Sequence, residues 1–208
     1  MFIHLLTSRV CRMSPRPQAF TDDELLDAAA ATIDDLGPAR LTLADVAERT
    51  GASPATLVKR FGSKKGLLAA LSARGADALP AVFAQARTRR RQPLEALVEA
   101  LSELAAGIRT HQQMAHHVAF LLMDLSDPDL LARARDFAAG LRTAVGDLLA
   151  EAADTGDLHC PDPEGLTAAV VTAYHGTMIA WAIEPEGVPA QRLGERLRFI
   201  LAPYRTAS

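Results

Sequence analysis

The chain has 208 residues, 49% of them hydrophobic and 23% charged, with a formal net charge of -3 at pH 7. That is enough apolar content for a sizeable core without staples, and two cysteines, Cys11 and Cys160, exclude a disulfide framework or a cysteine-built metal site and suggest a reduced, cytoplasmic setting. No run approaches the roughly 20 apolar residues of a membrane span, so a soluble protein with no membrane partner is expected.

Residues 1–17 read as a disordered arm. Residues 1–13 have neither the basic start nor the small-residue cleavage site of a signal peptide, and Met13 is a possible translation start. From Phe20 a first helix is well marked: Thr21 and Glu24 make a capping box, and Phe20 can staple onto Leu25. Leu25, Leu26, Ala29, Ile33 and Leu36 form one stripe, and Gly37-Pro38 stops it. Six acids and no base fall between Asp22 and Asp35, which predicts an acidic back turned away from any polyanion.

The stretch from Leu41 to Leu68, LTLADVAERTGASPATLVKRFGSKKGLL, organises the rest. Thr42 is placed to cap a helix carrying Leu43, Val46 and Ala47, with Asp45 at its third position. Gly51 suits a tight reversal. Ser53 and Pro54 then restart a helix as cap and first residue. Leu57 and Phe61 of this second helix point inward, leaving Ala55, Thr56, Lys59 and Arg60 on its outer faces. Ser63 caps a further helix that begins Lys64-Lys65, where cations oppose the helix dipole unless a phosphate docks on the exposed N–H groups. No acid occurs between Glu48 and Asp77, while Arg49, Lys59, Arg60, Lys64, Lys65 and Arg74 supply six positive charges. Helix, short turn and helix inside such a window predict a double-stranded DNA partner.

On these residues the run TLADVAERTGASPATLVKRFGSKKGLL resembles the DNA-binding signature of TetR-type transcriptional regulators, over about residues 18 to 70. The resemblance implies an N-terminal helix-turn-helix unit and a C-terminal body that binds an effector and makes a homodimer through its last two helices. It assigns Thr56 and Lys59 to base edges, Thr42, Ser53, Arg60 and Lys64 to phosphates, and Ala55 to close packing on the groove. Two positions depart from the family pattern. Val58 stands where a Tyr is common, and Arg60 stands where a His or Tyr usually precedes the Phe, so Arg60 is expected to take over the backbone contact.

Beyond Leu68 the periodicity stays helical throughout, and the fold class is all-α. A helix from Ser63 reaches at least Leu79, where Pro80 kinks it or starts another. Arg87, Arg89, Arg90 and Arg91 read as a solvated helix end. Prolines at 93, 128, 163 and 189 introduce further helices. Between the first two, a segment carries Met114, Val118, Leu121, Leu122 and Leu125 as an apolar stripe. The domains expected are a helix-turn-helix unit over residues 18–66 and a C-terminal effector-binding and dimerisation body over residues 67–208, joined through a shared helix.

Large or polar groups on inner faces of that body, His111, Met114, Phe120, Met123, Tyr174, Met178 and Trp181, suit a mostly apolar effector pocket with a few polar anchors. The same residues also read as ordinary core filling. His111, His116 and His117 diverge on one helix and do not form a metal site. A small-residue face, Ala168, Ala169, Ala173, Gly176 and Ala180, allows close helix approach in a dimer.

The sequence thus predicts a homodimeric DNA-binding regulator, a repressor released from a palindromic operator by a small apolar or aromatic effector. No cofactor and no catalytic residue is expected, since neither a nucleophile elbow nor a phosphate loop is present. The alternative is a helical small-molecule carrier or enzyme with an incidental basic patch.

Overall fold

A computed structural model describes residues 20–206; the arm of residues 1–17 and the possible start at Met13 lie outside them. Nine α-helices follow one another among the described residues: α1 (Asp22–Leu36), α2 (Leu43–Thr50), α3 (Pro54–Phe61), α4 (Lys64–Arg89), α5 (Pro93–Ala106), α6 (His111–Ser126), α7 (Pro128–Asp154), α8 (Pro163–Ile183) and α9 (Pro189–Leu201). The predicted caps form. Thr21 with Glu24 and Thr42 with Asp45 make complete capping boxes, and the Ser53 and Ser63 side chains accept from the backbone N–H groups of Thr56 and Gly66. Each such cap stabilises its helix by about 1 kcal/mol. Prolines 54, 93, 128, 163 and 189 all stand at helix starts, where the missing N–H leaves no bond unmade.

Two apolar clusters hold the chain together. The smaller joins Leu25, Leu26, Ala29 and Ile33 of α1 to Leu41, Val46, Leu57, Leu67 and Leu68, so three short helices close on the start of α4. Leu130 of α7 is part of this cluster, and Phe120 and Met123 of α6 pack against it. The larger cluster runs through α4, α5, α7, α8 and α9, with Leu79, Phe83, Leu97, Leu101, Leu141, Leu149, Val170, Leu193 and Leu197 at its centre.

α4 belongs to both clusters. Pro80 neither ends it nor starts another helix: the helix continues through it, with Leu79 and Phe83 buried on either side. α7 runs alongside in the same direction and is tied to α4 at both ends. At one end Lys65 Nζ lies 2.9 Å from Asp127 Oδ2 and 2.7 Å from Asp129 Oδ2; at the other Arg87 Nε donates to Glu151 Oε1 at 2.8 Å. The arginines near residue 90 form the exposed end of α4, as expected, and Arg89 and Arg90 in addition pair with Glu99 of α5.

α4 and α8 are long and apolar enough to cross a membrane by length and mean hydropathy, contrary to the expectation from apolar runs. Their apolar sides instead line the larger cluster. The α6 stripe also departs from expectation. Only Met114 of it is buried, while Leu122 is 59% and Leu125 53% exposed. The face turned inward is the one bearing Phe120, Met123 and Asp124, because α6 docks on α1 as well as on α7 and α8.

Candidate nucleic-acid interface and effector site

α3 presents the reading surface. Leu57, fully buried, and half-buried Phe61 anchor its inner side, while Ala55, Val58 and Lys59 are exposed on the outer one. Its approach is fixed by Gly51, whose left-handed backbone (φ 77°, ψ 9°) turns the chain between α2 and α3. Behind it, a Cβ on Gly66 would run into the Phe61 carbonyl oxygen, so this glycine lets α4 begin hard against the end of α3.

The two helix caps occupy hydroxyls that the sequence offers to DNA. The Thr42 hydroxyl donates to Asp45 Oδ2 at 2.7 Å, and those hydrogen bonds hold the Asp45 carboxyl below its usual range. Thr42 must release Asp45 before it can donate to a phosphate. Ser53 Oγ accepts from Thr56 N at 3.2 Å and lies 2.9 Å from Thr56 Oγ1. One of these two hydroxyls donates to the other, which leaves one free donor for the pair.

The cations are distributed differently from the predicted polarity. Arg49 pairs with Asp35, Arg60 with Asp22 and Arg74 with Asp27, so three acids of α1 face the basic window instead of turning away from it. Arg60 also donates to the Phe20 carbonyl at 3.1 Å, and the expected Arg60 backbone contact would have to compete with both partners. Lys64 Nζ donates to the Ala39 carbonyl at 2.7 Å, and burial pushes its ammonium pKa down. Two of its N–H donors remain for a phosphate. Among the described residues Lys59 has no ion-pair partner, and it stands on the outer face of α3.

Two further exposed residues extend this surface beyond the predicted set. Val58 is 50% exposed on α3 beside Lys59. Arg40 is exposed just ahead of α2, close enough that it and Lys64 both lower the Asp45 pKa. Asp45 and Glu48 separate Arg40 from the acid-free window in sequence; folding brings it back.

The seven residues proposed for an effector pocket fall into three environments. Met114, Met178 and Trp181 are buried in the larger cluster and Tyr174 packs on it, with its ring 5.1 Å from that of His175 and its hydroxyl pKa pushed up to about 12 by burial. The Trp181 indole N–H donates to the carbonyls of Glu186 (3.1 Å) and Gly187 (3.3 Å), closing the turn into α9. Phe120 and Met123 pack on the smaller cluster. His111 is exposed, its Nε2 2.8 Å from the Ala182 carbonyl. Two open clefts have other linings: about 240 Å³ beside Ala173, Gly176, Thr177, Ala180, Arg192 and Arg196, and about 310 Å³ between Cys160, Leu166, Ala169 and Tyr204. No group of three His, Cys, Asp or Glu among the described residues could hold a metal ion.

The family model of bacterial regulatory proteins of the tetR family matches residues 25–71, and that of the BetI-type transcriptional repressor C-terminal region matches residues 90–203. Among curated proteins none matches the chain. Among solved structures, a transcriptional regulator from Rhodococcus sp. Rha1 superposes with a TM-score of 0.72 at 18% identity, covering 91% of this chain and 100% of that one. The FadR regulator of Bacillus subtilis in complex with stearoyl-CoA gives 0.69 at 16% identity, covering 88% and 98%. The SmeT–triclosan complex gives 0.66 at 20% identity, covering 90% and 92%; SmeT is the repressor of a multidrug efflux pump of Stenotrophomonas maltophilia. A likeness at such identities shows the shared fold. The two family models together span both the α2–α3 reading head and the helical body behind it, and the chain belongs to the TetR family of bacterial transcriptional regulators, with a C-terminal region of the BetI type.

Proposed function

We propose that this regulator is a homodimeric repressor whose α3 enters the major groove of a palindromic operator and whose C-terminal body releases DNA when a small molecule binds. The single observation that carries the reading is the outer face of α3, where Ala55, Val58 and Lys59 are exposed on a helix held rigidly from behind by Leu57 and by caps at both ends. Lys59 suits a base edge, Thr56 a hydrogen bond, and Val58 and Ala55 apolar contact with thymine methyl groups. Lys64, Arg40, Thr42 and Ser53 lie behind them at the phosphate level, with Arg60 available once it leaves Asp22.

In this reading residues 18–66 read DNA and residues 67–208 sense ligand and dimerise, with Leu67, Leu68 and Leu130 of the second part helping to close the smaller cluster. Exposed Ile179, Ile183, Val188 and Phe199 on and between α8 and α9, next to small Ala173, Gly176 and Ala180, support a second copy covering this face. Such a protein works in the cytoplasm. The regulator models favour this reading over a helical carrier or enzyme.

Selection of bound duplexes from a random pool at two salt concentrations tests the proposal. The expected result is an inverted repeat with half-sites about one helical turn, roughly 34–36 Å, apart. Salt-sensitive binding without a motif would reduce the protein to nonspecific phosphate binding, and no binding at either salt would overturn it.

A further inference from the structure

The inner side of α3 is occupied by the fold: Leu57 is fully buried and Phe61 packs on the smaller cluster. At about 100° per residue, the outer side then runs across the helix in the order Val58, Ala55, Lys59, Thr56. The first three are exposed and Thr56 is half-buried. Thr56 Oγ1 lies 2.9 Å from Ser53 Oγ, so its hydroxyl serves the helix cap first. Arg60 is held by Asp22 and by the Phe20 carbonyl, which leaves Lys59 as the one polar side chain of α3 with neither a hydrogen bond nor an ion pair among the described residues.

Such a face reads only part of the major-groove code. A lysine ammonium brings donors alone, and it matches the O6 and N7 acceptors of guanine. α3 contains no Asn or Gln, the side chains that hold adenine by N6 and N7, and no Asp or Glu to accept from cytosine N4. An A·T pair is therefore distinguished through the 5-methyl group of thymine, which the methyl groups of Val58 and Ala55 complement. Val58 is the larger of the two, and it has no group with which to hold a phosphate. Val58 and Lys59 follow one another on the helix and diverge by about 100°, so they reach neighbouring base pairs and not the same one.

We infer that each operator half-site is built on a guanine contacted by Lys59 with a thymine in the adjoining base pair, and that Val58 is the specificity-determining residue that reads the thymine 5-methyl group. The inference rests on the major-groove reading above and narrows its palindrome from any sequence to a guanine–thymine one. Its consequence is chemical: a duplex that keeps every base-pairing hydrogen bond but loses that methyl group is a poorer operator.

The test takes the operator selected by the full chain and replaces its bases one at a time. Guanine becomes 7-deazaguanine, which lacks the N7 acceptor, and thymine becomes uracil, which lacks only the 5-methyl group. Affinity is followed by fluorescence anisotropy at one fixed salt concentration. Each selected half-site should contain a guanine with a thymine, on either strand, in an adjacent base pair. There 7-deazaguanine should lower affinity about fivefold and uracil about threefold. Val58→Ala should remove most of the uracil loss and keep the 7-deazaguanine loss, and Lys59→Ala should do the reverse. Both side chains are exposed, so neither change threatens the fold. Half-sites without a guanine next to a thymine, uracil bound as tightly as thymine, an undiminished uracil loss in Val58→Ala, or an undiminished 7-deazaguanine loss in Lys59→Ala overturns the inference and leaves the palindromic-operator reading standing. Binding without a selected sequence, or no binding at all, overturns both.

Discussion

His117 Nε2 of α6 lies 3.2 Å from Asp34 Oδ1 in the last turn of α1. Gln113 Nε2 reaches the other carboxylate oxygen at 3.4 Å, and His116 Nδ1 lies 2.9 Å from the Asp34 backbone carbonyl. α1 ends with two acids and no base in its final turn, against its own dipole. The α6 side chains on Asp34, and Arg49 on Asp35, provide the compensation that a basic residue would normally give. Because it joins the reading head to the C-terminal body, Asp34→Ala should leave operator affinity within a few-fold but weaken the response to effector several-fold. Titrating effector against preformed operator complex measures both, and an unchanged response would show that this joint carries no coupling.

Gly37 ends α1 directly beneath the same joint. Its φ is 78°, and a Cβ there would sit 2.9 Å from His116 Cδ2. Gly37→Ala combines backbone strain with displacement of that ring, so a loss of about 1–3 kcal/mol is expected. Chemical denaturation reads the loss. Gly51→Ala, where a Cβ meets nothing within 4 Å, should cost only the positive-φ part.

Ion pairing divides the cations of the basic window into two kinds. Lys59→Ala should relax sequence preference, because this ammonium has no protein partner among the described residues and stands on the reading face. Asp22→Ala should have the opposite character: freeing Arg60 strengthens binding to all duplexes and steepens the salt dependence by up to one unit of slope. The exposed pair itself contributes only about 0.2–1 kcal/mol to stability. Binding isotherms on operator and random DNA at several salt concentrations separate the two effects, and identical behaviour of both variants would contradict them.

Stability should fall as pH rises through the range set by Asp124. The unfolded side chain titrates near its ordinary value of 3.8, the folded one near 6. Between these values the native state keeps a proton that the unfolded chain has released, so protonation favours the fold below about 4 and the advantage is gone above about 6. The Asp45, Glu99, Asp127 and Glu151 carboxyls, lowered by their hydrogen bonds, act with the reverse sign at lower pH. Subtracting the Asp124→Asn profile from that of the wild type isolates the first effect, expected at about 1–2 kcal/mol after allowing for partial solvation. A flat difference between pH 4 and 7 would refute it.

Phe199 is 77% exposed on α9 and borders the cleft that contains Cys160 and Tyr204. If a second copy covers this face, Phe199→Glu should shift the protein toward monomer and cut operator affinity by at least tenfold, since two half-sites would no longer be bound together. Sedimentation and DNA binding of the same preparation check both outcomes.

The sequence by itself determined the capped and proline-led helix starts, though not that α4 runs on through Pro80 to Arg89. Thr21, Thr42, Ser53 and Ser63 cap locally, Gly51 turns locally, and each introducing proline acts on its own first turn, so these signals need no distant partner. The helix-turn-helix with buried Leu57 and exposed Lys59 was legible for the same reason. The tertiary structure decided what the long side chains touch. The window of residues 49–76 holds no acid of its own, yet folding brings Asp22, Asp27 and Asp35 to Arg60, Arg74 and Arg49, because α1 packs across α2 and α4. It also chose which face of α6 is buried: docking on both α1 and α7 turned Phe120, Met123 and Asp124 inward and left Leu122 and Leu125 in solvent, which periodicity alone cannot decide when a helix has more than one neighbour.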